Sequence, residues 1–366
     1  MDPTTTCCPN LACPARGHTG QGNIGIHSQQ EQRFICTQCG KTFTATKGTA
    51  WYRLRTSAET VSLVVTLRAH GCPRHAIGVA FGYDERTVAS GLARAGGQGQ
   101  AVQEHVVEQP RALGQVQAEA IRVKTQGRIV WMALAMMVKT RLWLGGAVSA
   151  QRDMPLMRRL IERGKRGAAP GPFLVCTAGL VSYIRAIRAT FREPVHTGQG
   201  GRPRLRPWRH LWIAQVVKRY ERRRVGETER RIVDGTPARV ETLRRRSQGD
   251  GVITTAYIER LHATFRARLA SLTRRGRALA RQTVTFQHGM YLLGMVDNFC
   301  TPHASLGHAR GRTTPAMAAG ITDHCWSVHE LLSYRVPPPQ WTPPKQRGRP
   351  SYALKRLIAR WCGDHG

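Results

Sequence analysis

Acid is what this sequence has least of for its size: 22 Asp plus Glu stand against 56 Lys plus Arg, a net charge of +34 over 366 residues. Such a surface repels itself unless a polyanion is its partner, and nucleic acid is the first candidate. Long apolar runs are missing too. The longest, Ile129 to Val138, has half the length that a membrane span needs and is closed by Lys139, so no membrane partner is expected. No amino-terminal stretch joins a basic flank, an apolar centre and a small-residue cleavage site, which argues against secretion. A disulfide framework is absent as well. Five of the ten cysteines fall in the first forty residues and the other five are scattered singly, the usual distribution of small buried hydrophobes. What is present is a 41% hydrophobic content, enough for a real core, and length for about two or three domains.

The crowded cysteines have metal-ligand spacing: Cys8-x4-Cys13, a gap of roughly twenty residues, then Cys36-x2-Cys39 followed by Gly40. Two thiolates on one knuckle can share a tetrahedral zinc with a second pair on a neighbouring loop, which predicts a zinc ribbon over residues 1–50. Cys7 can replace Cys8 on this reading, and His18 or His27 can stand in as a ligand. From Thr56 the pattern turns helical. Thr56-x-x-Glu59 is a capping box, Gly71 and Pro73 separate a first helix from a second, Gly82 ends the second, and Asp84 caps a third. This predicts a helix-turn-helix within residues 51–110, with Arg86, Thr87, Ser90 and Arg94 as the side chains that reach DNA.

Beyond a Gln-rich connector, three strand-like runs, a helix capped by Asp153, a strand ending at Ala178 and a further helix follow in order. That is the element order of an RNase H-like domain, predicted over residues 111–310, so the expected fold class is multi-domain α+β. Such a domain gathers acids from its first strand, the end of its fourth and a late helix around two divalent metals. The late helix starts near Thr255 with Ile258, Leu261, Phe265, Leu269 and Leu272 as its buried stripe. Glu259 lies outside that stripe and shares a face with His262, Ala263 and Arg266.

AEAI on the first strand, CTAGLVSYIRA after the fourth and YIERLHATFRARLASLTRRGRALA on the late helix resemble transposases of the insertion sequence 1 family. The cysteine knuckles and the helix-turn-helix match the same family in order. The resemblance implies a DNA transposase, acting on double-stranded DNA at element ends and target, with magnesium or manganese as cofactor, a homo-oligomer on DNA, and a cytoplasmic, nucleoid-associated location in a bacterium. Carried over by position, the family's first Asp falls on Glu119, its neighbouring Glu on Ala120, its second Asp on Ala178, its Glu on Glu259 and an Asn on His262. Ala178 therefore stands where a metal ligand is expected, which implies little or no strand transfer. The alternative is a terminal-repeat binder or regulator without catalysis. Arg260, His262 and Arg266 are candidate DNA contacts on the late helix.

Residues 197–250 are expected to be a basic β-hairpin insertion, its turn near Gly226, that grips DNA with Arg202, Arg204 and the interleaved Trp208, Trp212 and Tyr220. NFCTPHASL, residues 298–306, resembles a segment that often follows the catalytic helix. Residues 311–366 read as a proline-rich linker, VPPPQWTPP, and a basic tail with at most a short helix.

Overall fold

The computed structural model describes residues 1–125, 128–195, 203–222, 224–269, 283–306, 312–345 and 348–363. It is a mixed α+β protein with eleven α-helices among the described residues, and the chain divides into two compact units, Met1–Ala58 with Leu332–Gly366, and Glu59–Leu331.

The smaller unit is built on an antiparallel sheet in the order β1 (Ile24–Ser28), β2 (Arg33–Cys36), β3 (Thr42–Thr44). A sheet this small cannot bury a core of its own. The carboxyl-terminal segment supplies the rest: the helix Tyr352–Trp361 places Trp361 among Cys8, Cys13, Cys36, Phe34 and Phe43, with Leu357 beside it. The Arg335 guanidinium donates to the Ala45 carbonyl, and the Trp51 indole donates to Ser333 Oγ at 2.9 Å. The segment read from sequence as linker and tail is thus part of the smaller unit, because a proline-rich segment and one Trp cover what three short strands leave open.

The larger unit opens with α1 (Ala58–Ala69), α2 (Arg74–Phe81) and α3 (Glu85–Val102). Gly82 in the left-handed conformation ends α2, and Asp84 caps α3 by accepting from the Arg86 N–H at 2.7 Å. A six-stranded sheet follows, in the order β11-β10-β7-β4-β5-β6. Its strands are β4 (Gln115–Thr125), β5 (Arg128–Met137), β6 (Trp143–Ser149), β7 (Phe173–Ala178), β10 (Leu211–Glu221) and β11 (Arg224–Asp234); β8 (Arg192–Val195) and β9 (Arg204–Pro207) form a separate pair. β4, β5 and β6 are an antiparallel meander, β7 runs parallel to β4, and β10 runs parallel to β7.

Helices α4 (Met154–Arg166), α5 (Val181–Thr190), α6 (Pro237–Gln248), α7 (Ala256–Arg268) and α8 (Thr283–Cys300) cover the sheet. Strand alternation assigns the faces. Leu174 and Cys176 of β7 pack with Val240 and Leu243 of α6, while Phe173 turns its ring to Phe191 just after α5. Helix α8 joins the first three helices to the sheet. A Cβ on Gly96 of α3 would lie 2.5 Å from the His288 carbonyl oxygen of α8, so glycine sets how closely the two helices pack.

The expected hairpin exists, but it is not an excursion. Its apolar run WIAQVV is β10, the strand next to β7, and Gly226 lies within β11, whose pairing with β10 already runs out to Glu221 and Arg224. A strand flanked on both sides in a sheet reads as a nearly continuous apolar run, and the surrounding arginines concealed this one. Trp212 is accordingly buried against α6, and Trp208 packs on Phe173 and Phe191. The Tyr220 side chain lies outside the described residues, as do Arg202 and Leu272.

Candidate functional site

The four cysteines selected by spacing come together in the smaller unit. Cys36 closes β2 and Cys39 sits on the turn before β3, which Gly40 completes at φ +68° while its N–H donates to the Cys36 carbonyl at 2.8 Å. Cys8 and Cys13 approach from the opposite loop. Cys8 Sγ is 3.7 Å from Cys39 Sγ and Cys13 Sγ 3.8 Å from Cys36 Sγ, and all four sulfurs lie within 4.8 Å of one another. A tetrahedron with metal–sulfur bonds of about 2.3 Å has edges of about 3.8 Å, so the group can hold a structural metal ion such as zinc. Burial pushes the Cys13 thiol up to about 12 and the Cys8 thiol higher still. Burial also raises Cys39, yet the Lys41 N–H and neighbouring side-chain donors outweigh it and bring that thiol down to about 7. Asn23 Nδ2 points a donor at Cys36 Sγ from 3.9 Å. Cys7 is buried outside this group, and the His18 ring packs on Trp361 at 5.4 Å.

In the larger unit, Glu119, Ala178 and Glu259 line one cleft of about 510 Å³. Register puts them there. Ala118 of β4 pairs with Thr177 of β7, so Glu119 lies beside the end of β7, and Ala178 is that strand's last residue. Helix α7 is pinned over this edge by Gln117, which is fully buried on β4. Its Nε2 donates to the Thr254 carbonyl at 2.6 Å, and its Oε1 accepts from the Ile258 N–H at 3.0 Å. With Ile258, Leu261 and Phe265 turned inward, Glu259 faces the cleft.

Glu259 and the backbone of Ala178 are already engaged, and Glu119 is enclosed beside a histidine. Glu259 Oε1 accepts from Thr255 Oγ1 at 2.6 Å and forms an ion pair with Lys218 Nζ of β10. Glu119 Oε2 is enclosed 3.5 Å from Nδ1 of His262, whose side chain is 1% exposed. Ala178 has no side-chain oxygen, and its carbonyl accepts from Gln215 Nε2 at 3.1 Å. Magnesium and manganese want near-octahedral oxygen at about 2.0 to 2.1 Å for the former and similar hard donors for the latter. These residues do not fit such a pair of ions. Two acids on either side of Ala178 in sequence serve elsewhere: Asp153 caps α4 through the Leu156 N–H, and Glu193 pairs with Arg206. The other charged residues of the lining are cationic, with Arg122, Arg152 and Arg266 joining Lys218 against the two glutamates.

Arg86, Thr87, Ser90 and Arg94 are exposed together along α3, and Arg204 on β9 and Arg260 on α7 are also exposed. Arg266 lines the cleft. His262 is the exception among the expected DNA contacts: it is buried against Glu119, because the helical turn that aims Glu259 outward carries position 262 toward the sheet. Lys218 was missed by the sequence reading. It lies forty-one residues before Glu259, inside a run of arginines, and only the parallel pairing of β10 with β7 brings it to the cleft.

No protein-family model matches the chain, and no curated protein matches it at a significant level. Among the described residues no helix is long and apolar enough to cross a membrane.

Proposed function

We propose that this chain is a duplex-DNA-binding protein of transposase descent in which strand cleavage and transfer have been lost. The observation that carries the reading is the meeting of the first strand, the end of the strand parallel to it and the late helix in one cleft, at Glu119, Ala178 and Glu259. Those are the three places to which the resemblance assigns carboxylates, and this is the convergence expected of an RNase H-like domain. The family's reaction depends on two divalent ions that activate a nucleophile and stabilise a leaving oxygen. No step of it is available to a cleft with this occupancy. What remains is recognition: zinc in the cysteine ribbon, a helix-turn-helix with α3 as its reading helix, and an excess of positive charge.

A retained activity would need another carboxylate. Among the described residues lining the cleft, Glu119 and Glu259 are the carboxylates, so the non-catalytic binder is favoured over the active enzyme. Two measurements test the proposal together. Plasmid DNA incubated with magnesium or manganese is expected to stay unnicked. Binding to duplex DNA is expected to weaken by roughly 10³- to 10⁵-fold between 50 and 200 mM salt, as for about six to ten phosphate contacts. A flat salt response would remove the DNA reading, and metal-dependent nicking would remove the loss of catalysis.

A further inference from the structure

We infer that Lys218 has taken the electrostatic place of a divalent cation in the cleft, which now accepts a nucleic-acid backbone phosphate directly on Arg122, Arg152 and the lysine itself. This rests on the DNA-binding reading above. Two carboxylates facing one cleft repel each other unless a cation compensates them. Here the cation is built in. The Lys218 ammonium pairs with Glu259, whose same oxygen accepts from Thr255, and the His262 imidazole backs Glu119. An ammonium imposes none of the octahedral oxygen geometry that a magnesium ion needs, so the missing oxygen at Ala178 carries no penalty.

Once the acids are compensated, the guanidiniums dominate the lining. Arg152 lies over the Trp131 ring at 4.9 Å, and its Nε is enclosed without a hydrogen-bond acceptor. Arg122 is on β4 opposite Trp131 and is exposed at the cleft. Lys218 has three N–H donors, of which Glu259 occupies one. A phosphate diester supplies the anionic oxygens that this group lacks, and arginine presents donors in a fork that suits them.

The test uses the full chain with its ribbon metal in place, and magnesium alone as the first probe, since thiolate sites do not select that hard cation. The thermal midpoint of the parent is expected not to move when magnesium chloride replaces sodium chloride at equal ionic strength. Lys218→Ala is expected to lower the midpoint and to regain part of it with magnesium. Lys218→Arg is expected to match the parent, and Lys218→Ala with Glu259→Gln to fold without a magnesium response. A parent midpoint that rises with magnesium, or a Lys218→Ala protein that ignores it, overturns the cation replacement. The second probe is a short duplex oligonucleotide. Arg152→Ala is expected to weaken its binding roughly tenfold, the loss of one charge-assisted contact, with no gain from magnesium in the parent. Binding that is unchanged in Arg152→Ala and Arg122→Ala, or strengthened by magnesium, overturns the phosphate site. Absence of DNA binding in the parent defeats the DNA reading itself, and the magnesium result then still decides the role of Lys218.

Discussion

A single ammonium group changes the meaning of two carboxylates. Glu259 was legible in the sequence because its helix carries a dense motif, and Ala178 because the strand before it ends so sharply. Lys218 was not, since nothing local distinguishes it from the arginines around it; its partner is set by sheet order. Restoring acids alone is therefore not expected to restore chemistry. The triple change Glu119→Asp, Ala120→Glu and Ala178→Asp should leave plasmid DNA intact while Lys218 remains. Metal-dependent nicking is expected only when Lys218→Ala is added. Nicking by the triple variant itself would show that the lysine yields its place to a metal.

Elements were legible where periodicity and caps agree, and misread where composition overrode pattern. Asp84 caps α3 as its position suggested, whereas the apolar heart of β10 was hidden by the arginines that flank it. Helix α7 is held to the sheet by a buried amide, and such attachments leave no sequence periodicity. Gln117→Ala removes two hydrogen bonds and strands the buried Ile258 N–H and the half-buried Thr254 carbonyl. We expect a loss of about 1–3 kcal/mol in urea denaturation. Replacing Gln117 by Glu should be worse than Ala, because it buries a charge and loses the donor to Thr254. On α3, Arg86→Ala should weaken binding to all duplex sequences about equally, and lower the slope of log affinity against log salt by about 1, if Arg86 reaches a phosphate. A change confined to one base position would instead mean that it reads sequence.

For the whole molecule, the cysteine spacing foretold the sulfur cluster, but not that the two ends of the chain share a core. Trp361 shares a helix face with Leu357, but nothing local announces that its indole packs with residues more than three hundred positions earlier. Trp361→Ala should cost about 3–5 kcal/mol in that unit, the usual loss for a buried Trp. A metal held by the four cysteines should then pass faster to a colorimetric chelator. Cys36→Ser with Cys39→Ser should abolish metal retention outright, and metal content that survives this double change would exclude the proposed ligand set. One consequence concerns synthesis rather than the finished protein. The clustered cysteines are synthesised more than three hundred residues before the side chain that closes their core. At about 5–20 residues per second the unit waits on the order of tens of seconds for completion, with its thiols open to whatever metal or oxidant the cell offers.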